Sequence, residues 1–374
     1  MQVVLDASPL GAGRGGDETY LRGLIDGLAL TEDDGTTFPV LLARGEPVPD
    51  PIRERPEFPV ARVPRRPGAW HFGVTLPAAA RRCGRVDLVH SVTHTPPATW
   101  RLPMALTVGD LSFLHRPQDY PAAVRMRLNT LVPQQVRRAR VVLAPSEFSR
   151  SDIIDSYNVD PHRVHVVSNC IRPWSPLTAD ESRAAEAELS RVGVRTPYLL
   201  YLGNRHPRKN VPRLEAAYLR ARSANPSVAE HQLVVAGRRW WDDGSPEPPP
   251  PDGVLRLGAV SDLVRRYLLE NATALAYVSL FEGFGLPPLE AMSARTPVLG
   301  SDIPALREVC GDGALLVDPF DVEAIADGLT RLVDSPSLRD DLRDRGLRRC
   351  AQYDVANTGR RARAAFRDGV RRSQ

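Results

Sequence analysis

A chain of 374 residues, 42% apolar and 25% charged, is too long for one ordinary core and suits two domains of roughly 150–200 residues each. Its apolar runs stop at five or six residues. This excludes a segment of the ~20 apolar residues that spanning a bilayer requires. The net charge of +4 is unevenly spread, with thirteen arginines against three acids between Arg62 and Arg140.

That local excess suits an anionic acceptor or peripheral contact with an anionic membrane surface. An ordinary solvated arginine face is the plain alternative. No aromatic-interleaved basic motif of a nucleic-acid module occurs, so no nucleic-acid partner is expected. The start, Met1-Gln2-Val3-Val4-Leu5-Asp6, reads as a strand and lacks the pattern of a signal peptide, which predicts a cytoplasmic address. The four cysteines, Cys83, Cys170, Cys310 and Cys350, have no C-x-x-C spacing. They predict free thiols and neither a zinc nor a redox site.

In chain order, the first half predicts strands at Val3–Asp6, Val40–Ala43, Val86–His90, Ala105–Val108, Val141–Ala144 and Val164–Val167, with helices between them such as Thr19–Leu30 and Phe148–Ser156. Glu46–Gly68, rich in Pro and Arg, reads as a long loop. Ile171–Pro197, broken by Pro173, Pro176 and Pro197, reads as the linker. The second half predicts strands at Tyr198–Leu202, Gln232–Ala236, Val254–Leu257, Ala274–Val278, Pro297–Gly300 and Leu315–Val317. Its helices are Val211–Arg222, Asp262–Asn271, Pro287–Ala294, Val322–Val333 and Ser337–Gln352. Asp242–Asp252 reads as an exposed loop of polyproline character. Strands alternating with helices imply parallel sheets covered on both faces. Two such sets imply an α/β chain of two doubly wound domains.

Three segments carry the chemistry. In Leu10–Thr19, LGAGRGGDET, the glycines Gly13, Gly15 and Gly16 follow the first strand and could cradle a phosphate, or form a plain flexible turn. Their spacing does not fit the dinucleotide pattern G-x-G-x-x-G. In Tyr198–Asn210, YLLYLGNRHPRKN, a strand ends at Gly203 and a helix opens near Val211. Lys209 sits at that junction, where backbone N–H groups and the helix dipole favour a phosphate. Lys209 is also the only lysine in the chain; the other 48 basic residues are arginine. Lys is a compact point charge and Arg a planar fork, so this survivor is a candidate for a role that needs an ammonium. A basic surface residue ahead of a helix is the simpler alternative. In Ala274–Met292, ALAYVSLFEGFGLPPLEAM, Glu282 precedes Gly283-Phe284-Gly285, and Pro287 at the helix start places Glu290 in the first turn. Both carboxylates could face one cleft and accept hydrogen bonds from sugar hydroxyls. The plain alternatives are a loop acid in solvent and a helix-dipole carboxylate.

These residues resemble glycosyltransferase family 4. The resemblance rests on E-x7-E within EGFGLPPLEAM, on the downstream TPVLGSDIPALREVCGDGALLVDP and on GNRHPRKN. LVHSVTHTPP, TVGDLSFLHRP, VVLAPSEFSRSDI and VHVVSNCI resemble landmarks of the same family's first domain. The resemblance implies the GT-B architecture of two Rossmann-like domains facing a central cleft. It places an acceptor domain at 1–172, a nucleotide-sugar domain at 173–355, and a last helix, about Asn357–Arg372 within 356–374, that returns to the first domain. It implies a retaining, metal-independent transferase that uses a nucleoside-diphosphate sugar as co-substrate and no other cofactor.

By the same resemblance Lys209 holds the donor diphosphate and Glu290 the ribose hydroxyls. Glu282, Gly283 and the amides of Phe284, Gly285 and Leu286 hold the transferred sugar and phosphate. Gly15 and Gly16 approach the diphosphate, and Gly258 to Ser261, with Val260, border the base. Two positions depart from the family pattern. Asn204, after Gly203, stands where an arginine is common, so a phosphate cation is missing unless Arg205 or Arg208 replaces it. Gly109, before Asp110, stands where a histidine near the sugar's outer hydroxyls is usual, which suggests an altered sugar or an acceptor in that space. A glycosidase, which also works with two carboxylates, a sugar-nucleotide epimerase and a non-catalytic nucleotide-sugar-binding protein are the competing readings.

Overall fold

A computed structural model describes residues 1–12, 15–31, 35–66, 70–92, 101–172, 174–240 and 247–372. The chain divides into two compact units, Met1–Cys170 with Tyr353–Gln374, and Ile171–Gln352.

The first unit is built on a seven-stranded parallel sheet in the order β3-β2-β1-β4-β5-β6-β7. Its strands are β1 Val3–Asp6, β2 Val40–Ala43, β3 Val60–Val63, β4 Leu88–Ser91, β5 Met104–Thr107, β6 Val141–Ala144 and β7 Val164–Val166. Strands β1, β2, β4, β5 and β6 are buried throughout, as expected where helices cover both faces. β3 lies inside the segment expected to be loop. Its sequence VARV is bracketed by Pro59 and Pro64 and it lies at the sheet edge, where proline costs no ladder bond. The prolines that suggested a loop therefore mark an edge strand.

Helix α1, Gly16–Leu30, and the last helix, α12, Val355–Arg371, cover one face. They meet at Gly27 and Gly359. A Cβ on Gly359 would stand 2.0 Å from the Gly27 carbonyl oxygen, so only glycine permits this approach. Arg363 of α12 donates to the Leu28 carbonyl (3.0 Å) and to Thr31 Oγ1 (2.6 Å) at the end of α1. A cation there complements the negative end of the helix dipole. The opposite face carries the helical segment His71–Thr75 running into α2, Leu76–Arg82, then α3, Ala122–Arg138, and α4, Glu147–Tyr157.

The second unit has a six-stranded parallel sheet in the order β10-β9-β8-β11-β12-β13. The strands are β8 Tyr198–Leu202, β9 Gln232–Ala236, β10 Val254–Gly258, β11 Ala274–Tyr277, β12 Val298–Ser301 and β13 Leu315–Val317. Its helices are α5 Ala179–Arg191, α6 Val211–Ala224, α7 Asp262–Asn271, α8 Leu286–Ser293, α9 Pro304–Cys310, α10 Val322–Asp334 and α11 Pro336–Cys350. The expected linker thus contains α5, set by a capping box in which Thr178 and Glu181 satisfy each other's backbone amides. The polyproline loop is described only from Glu247 onward; Asp242 to Pro246 lie outside the described residues. Cys310 and Cys350 are buried free thiols, whereas Cys83 and Cys170 are only partly buried. Among the described residues no helix is long and apolar enough to cross a membrane.

Candidate active site

In an open parallel sheet, ligands bind beyond the carboxyl ends of the strands where the strand order reverses. The second sheet reverses between β8 and β11. The chain leaves β8 through Gly203–Asn210 and leaves β11 through Val278–Gly285. Both chemically marked segments therefore emerge at one switch point.

Main-chain and side-chain bonds stitch the two loops together. The Leu280 amide donates to the Arg208 carbonyl at 2.7 Å. Arg208 Nη1 donates to the Phe281 carbonyl at 2.7 Å. Asn210, held in the left-handed region at φ 63°, donates from Nδ2 to the carbonyls of Val278 (2.9 Å) and Pro319 (2.8 Å). Gly203 packs against Gly237, the residue after β9, where a Cβ would lie 1.7 Å from the Gly203 oxygen.

Lys209 ends a single 3-10 turn, Pro207–Lys209, and its side chain is buried. Its ammonium donates to Glu282 Oε1 at 2.5 Å and to the Tyr277 hydroxyl at 2.6 Å, and lies 5.0 Å from the centre of the Tyr277 ring. Tyr277 donates to the same Oε1 at 2.9 Å. Arg208 Nη1 donates to Oε2 at 3.0 Å. Glu282 is therefore no loop acid in solvent; it is 5% exposed and both its oxygens are engaged. Burial alone would raise its pKa, but the charges of Lys209 and Arg208 outweigh burial and hold it at about 2. Burial and the Glu282 charge push the Tyr277 hydroxyl well above its ordinary value, so it stays a donor. The trio of Lys209, Arg208 and Glu282 carries a net charge of +1 next to the start of α6.

Glu290 is the fifth residue of α8, one position further in than expected, because the helix opens at Leu286 rather than Pro287. Pro287 and Pro288 carry no N–H, so Leu286 supplies the amide of the first turn. Gly285, at φ 117°, caps the helix, and a Cβ there would come within 2.5 Å of Leu306. Gly283 and Phe284 are buried beside it. The Glu290 carboxylate sits 2.8 Å from Arg265 of α7. Burial pushes its pKa above the ordinary carboxyl range, and Arg265 offsets only part of that shift. Gly258, at φ 68° with open space around it, leads through half-buried Val260 to Ser261, which caps α7.

Arg205 and Arg208, the two arginines near Asn204, are placed differently. Arg205 is turned away: it pairs with Glu247 and donates to the Gly237 carbonyl. Arg208 shares Glu282 with Lys209. Asn204 accepts the Tyr201 hydroxyl on its backbone oxygen at 2.8 Å, and its buried side-chain Oδ1 has no hydrogen-bond partner among the described residues.

The first sheet reverses between β1 and β4. Gly15 precedes α1 at φ 61° and Gly16 opens the helix; neither has a heavy atom within 4 Å of where a Cβ would stand. Gly13 lies outside the described residues. Also at this switch point, the end of β1 carries a polar cluster that the sequence did not reveal. His71 Nε2 lies 3.3 Å from both oxygens of buried Asp6 and 3.1 Å from Ser8 Oγ. Asp6 and His71 are 65 positions apart, so only the fold unites them. On the β5 side, Asp110 accepts from the Ser112 amide at 2.9 Å and its hydroxyl at 2.5 Å. Gly109 is exposed, with nothing within 4 Å of a Cβ position.

A separate polar cleft of about 430 Å³, lined by Arg195, Arg222, His231 and Asp252 among others, opens at the amino ends of β8 to β10. It is at the opposite edge of the sheet from Lys209. Among the described residues no group of three or more His, Cys, Asp or Glu side chains is placed to hold a metal ion.

Residues 185–349 match the family described as Glycosyl transferases group 1, and residues 14–174 match Glycosyltransferase Family 4. The chain is 31% identical to O-antigen chain mannosyltransferase B of Escherichia coli over 69% of its own length and 68% of that protein. It is 30% identical to a D-inositol 3-phosphate glycosyltransferase of Frankia alni, over 80% and 73% of the two chains. Its fold matches sucrose-phosphate synthase from Thermosynechococcus elongatus with a TM-score of 0.71 at 17% identity, covering 98% of each chain. It also matches Anabaena HepE, determined with UDP and glucose, with a TM-score of 0.70 at 16% identity, covering 97% and 98%.

Proposed function

The chain belongs to glycosyltransferase family 4, and from that premise we propose that it moves a sugar from a nucleoside-diphosphate sugar to an acceptor hydroxyl with retained configuration and without a metal. The observation that carries this reading is the pair of cations, Lys209 and Arg208, held on one buried carboxylate at the switch point beside the start of α6. Breaking the bond between the sugar's C1 and the diphosphate oxygen leaves an electron pair, and hence negative charge, on that oxygen. Pre-placed cations stabilise this charge without reorganising. Glu282 fixes the cations' position; it need not act as nucleophile, since both its oxygens are engaged. The acceptor oxygen then bonds C1 from the face the diphosphate leaves, and the departing phosphate oxygen takes the acceptor's proton.

On this reading Glu290 receives the ribose hydroxyls, while Gly283 and the amides of Phe284, Gly285 and Leu286 line the sugar and phosphate. Gly258 and Val260 border the base, and Gly203 lets the backbone approach the ligand. Gly15 and Gly16, at an open helix start, offer amides to the diphosphate. Asp6, Ser8 and His71 form a polar corner suited to an acceptor hydroxyl. The acceptor class includes bacterial natural products, aminocyclitols and envelope glycans; the first two relatives named above are an O-antigen mannosyltransferase and an inositol-phosphate glycosyltransferase.

The test is a thermal-shift screen with nucleoside diphosphates and their sugars, followed by product analysis with the stabilising donor. Transfer to an added hydroxyl with an α-linked product from an α-linked donor supports the reading. An isomerised nucleotide sugar formed from donor alone points instead to an epimerase. Binding with no turnover across a broad acceptor panel points to a non-catalytic binding protein.

A further inference from the structure

The register of the first sheet places Leu41, Val4, Val89, Met104, Leu106 and Val142 on one face. Phe72, Leu76 and Ala80, four residues apart, pack α2 and the segment before it onto the β2–β1–β4 part of that face. Val132 and Val136 pack α3 onto the β5–β6 part. The two helices are therefore in the same layer and turn their outer sides to the same solvent.

Those outer sides are unusual in two respects. They expose large apolar groups: Trp70 is 65%, Val74 54% and Met126 69% exposed. Trp70 and Val74 are four residues apart and about half a turn from the buried Phe72, so they share the outward stripe. The same surfaces carry exposed arginines, among them Arg81, Arg82 and Arg127, while neither helix contains an acidic residue. Of the acids in this layer, Asp119 is buried against Arg116, Asp110 is bonded to Ser112, and Glu147, Asp152 and Asp155 lie in α4 at the β6–β7 edge. A merely solvated arginine face has no reason to present tryptophan, valine and methionine as well.

We propose that this α2–α3 face docks the protein on an anionic lipid bilayer. Indole and aliphatic side chains enter the headgroup boundary, and the arginines meet lipid phosphates. The proposal does not depend on the donor chemistry, because it concerns the outer face of one helical layer of the first unit.

The experiment is co-sedimentation of the full chain with vesicles of phosphatidylcholine alone and of phosphatidylcholine with phosphatidylglycerol, at low and high salt. Binding is expected only to the anionic vesicles, weakening as salt screens the charges. Each arginine removed lowers the apparent vesicle affinity about fivefold, so R81S/R82S weakens it roughly 25-fold. Trp70→Ser with Val74→Ser weakens binding in a way that salt does not mimic. All four positions are exposed, so each variant keeps the parent Tm. Equal binding to neutral and anionic vesicles overturns the proposal, as does no binding, or unchanged binding by the folded variants. Retention on heparin without vesicle binding assigns the face to a soluble polyanion and overturns it too.

Discussion

Lys209 and Glu282 form a buried ion pair with Nζ 2.5 Å from Oε1, and Arg208 holds the other carboxylate oxygen. A buried carboxylate shared by two cations is costly as a structural device alone, because desolvation offsets much of the attraction. It is well suited to keeping positive charge fixed where an anion will form.

On the proposed reading Arg208, paired with Glu282, supplies the second cation, and Arg205, paired with Glu247, does not. Arg208→Ala removes a charged hydrogen-bonding group, usually worth about 1.5–3 kcal/mol. The donor kcat/KM should fall by roughly 10- to 100-fold. Arg205→Ala removes a side chain committed to Glu247 and should change donor kinetics by less than about threefold. Steady-state kinetics on both variants checks the contrast; equal losses would reject the assignment.

On the proposed reading Glu290 accepts hydrogen bonds from the ribose hydroxyls, and its ionised form is the stronger acceptor. Burial raises its pKa, so donor binding should weaken with falling pH earlier than an ordinary carboxylate would allow. Isothermal titration of the nucleoside diphosphate against pH measures this. Glu290→Gln should bind donor roughly tenfold more weakly, the loss of a charged acceptor, and should lack the pH dependence in that range.

Gly109 has a non-left-handed backbone and open space at the Cβ position, so glycine is not required there for folding. Gly109→His should keep the parent Tm within a few degrees. If the space accommodates an altered sugar, the variant should favour donors bearing an outer hydroxyl by about tenfold, the effect of one added hydrogen bond. A donor panel run on both proteins reads this directly. An unmodified hexose nucleotide already preferred by the parent would count against the altered-sugar reading.

Acid should weaken the fold in two windows. His90 is buried, and desolvation lowers its pKa to about 4 despite nearby Asp6. Its neutral form is favoured in the fold, so this contribution is whole above its ordinary value of 6.5 and is lost as pH falls through about 4. Glu282 falls from 4.5 to about 2, so its contribution is whole above 4.5 and is lost as pH falls through about 2. Each shift corresponds to about 3 kcal/mol. Calorimetry across pH should show His90→Gln flattening the upper window and Glu282→Gln the lower.

Much of this was readable in the sequence. Parallel strands buried on both faces leave continuous apolar runs, and runs such as Tyr198–Leu202 and Val141–Ala144 have the expected limits. β3 was hidden because an edge strand half in solvent carries Arg62 and flanking prolines. α5 was hidden because a charged helix, ADESRAAEAELSR, stands among prolines. At the site, Lys209 was marked by composition, and Glu282 and Glu290 by the E-x7-E spacing. Their partners were not marked. Whether a carboxylate faces solvent or two cations depends on β8 lying beside β11, and no local pattern encodes that pairing. The Asp6–His71 contact was hidden for the same reason.

The central claim is that the Lys209 ammonium stabilises the leaving diphosphate, and single-turnover transfer by Lys209→Ala and Lys209→Arg tests it most directly. Loss of one charge-stabilising donor predicts a fall of about 10²–10³ in the transfer rate for the alanine variant. The arginine variant should remain impaired although its charge is restored, because a planar fork does not reproduce a compact ammonium between Tyr277 and Glu282. Measured Tm values and donor affinities separate this from unfolding. Transfer at the parent rate by either folded variant would contradict the account.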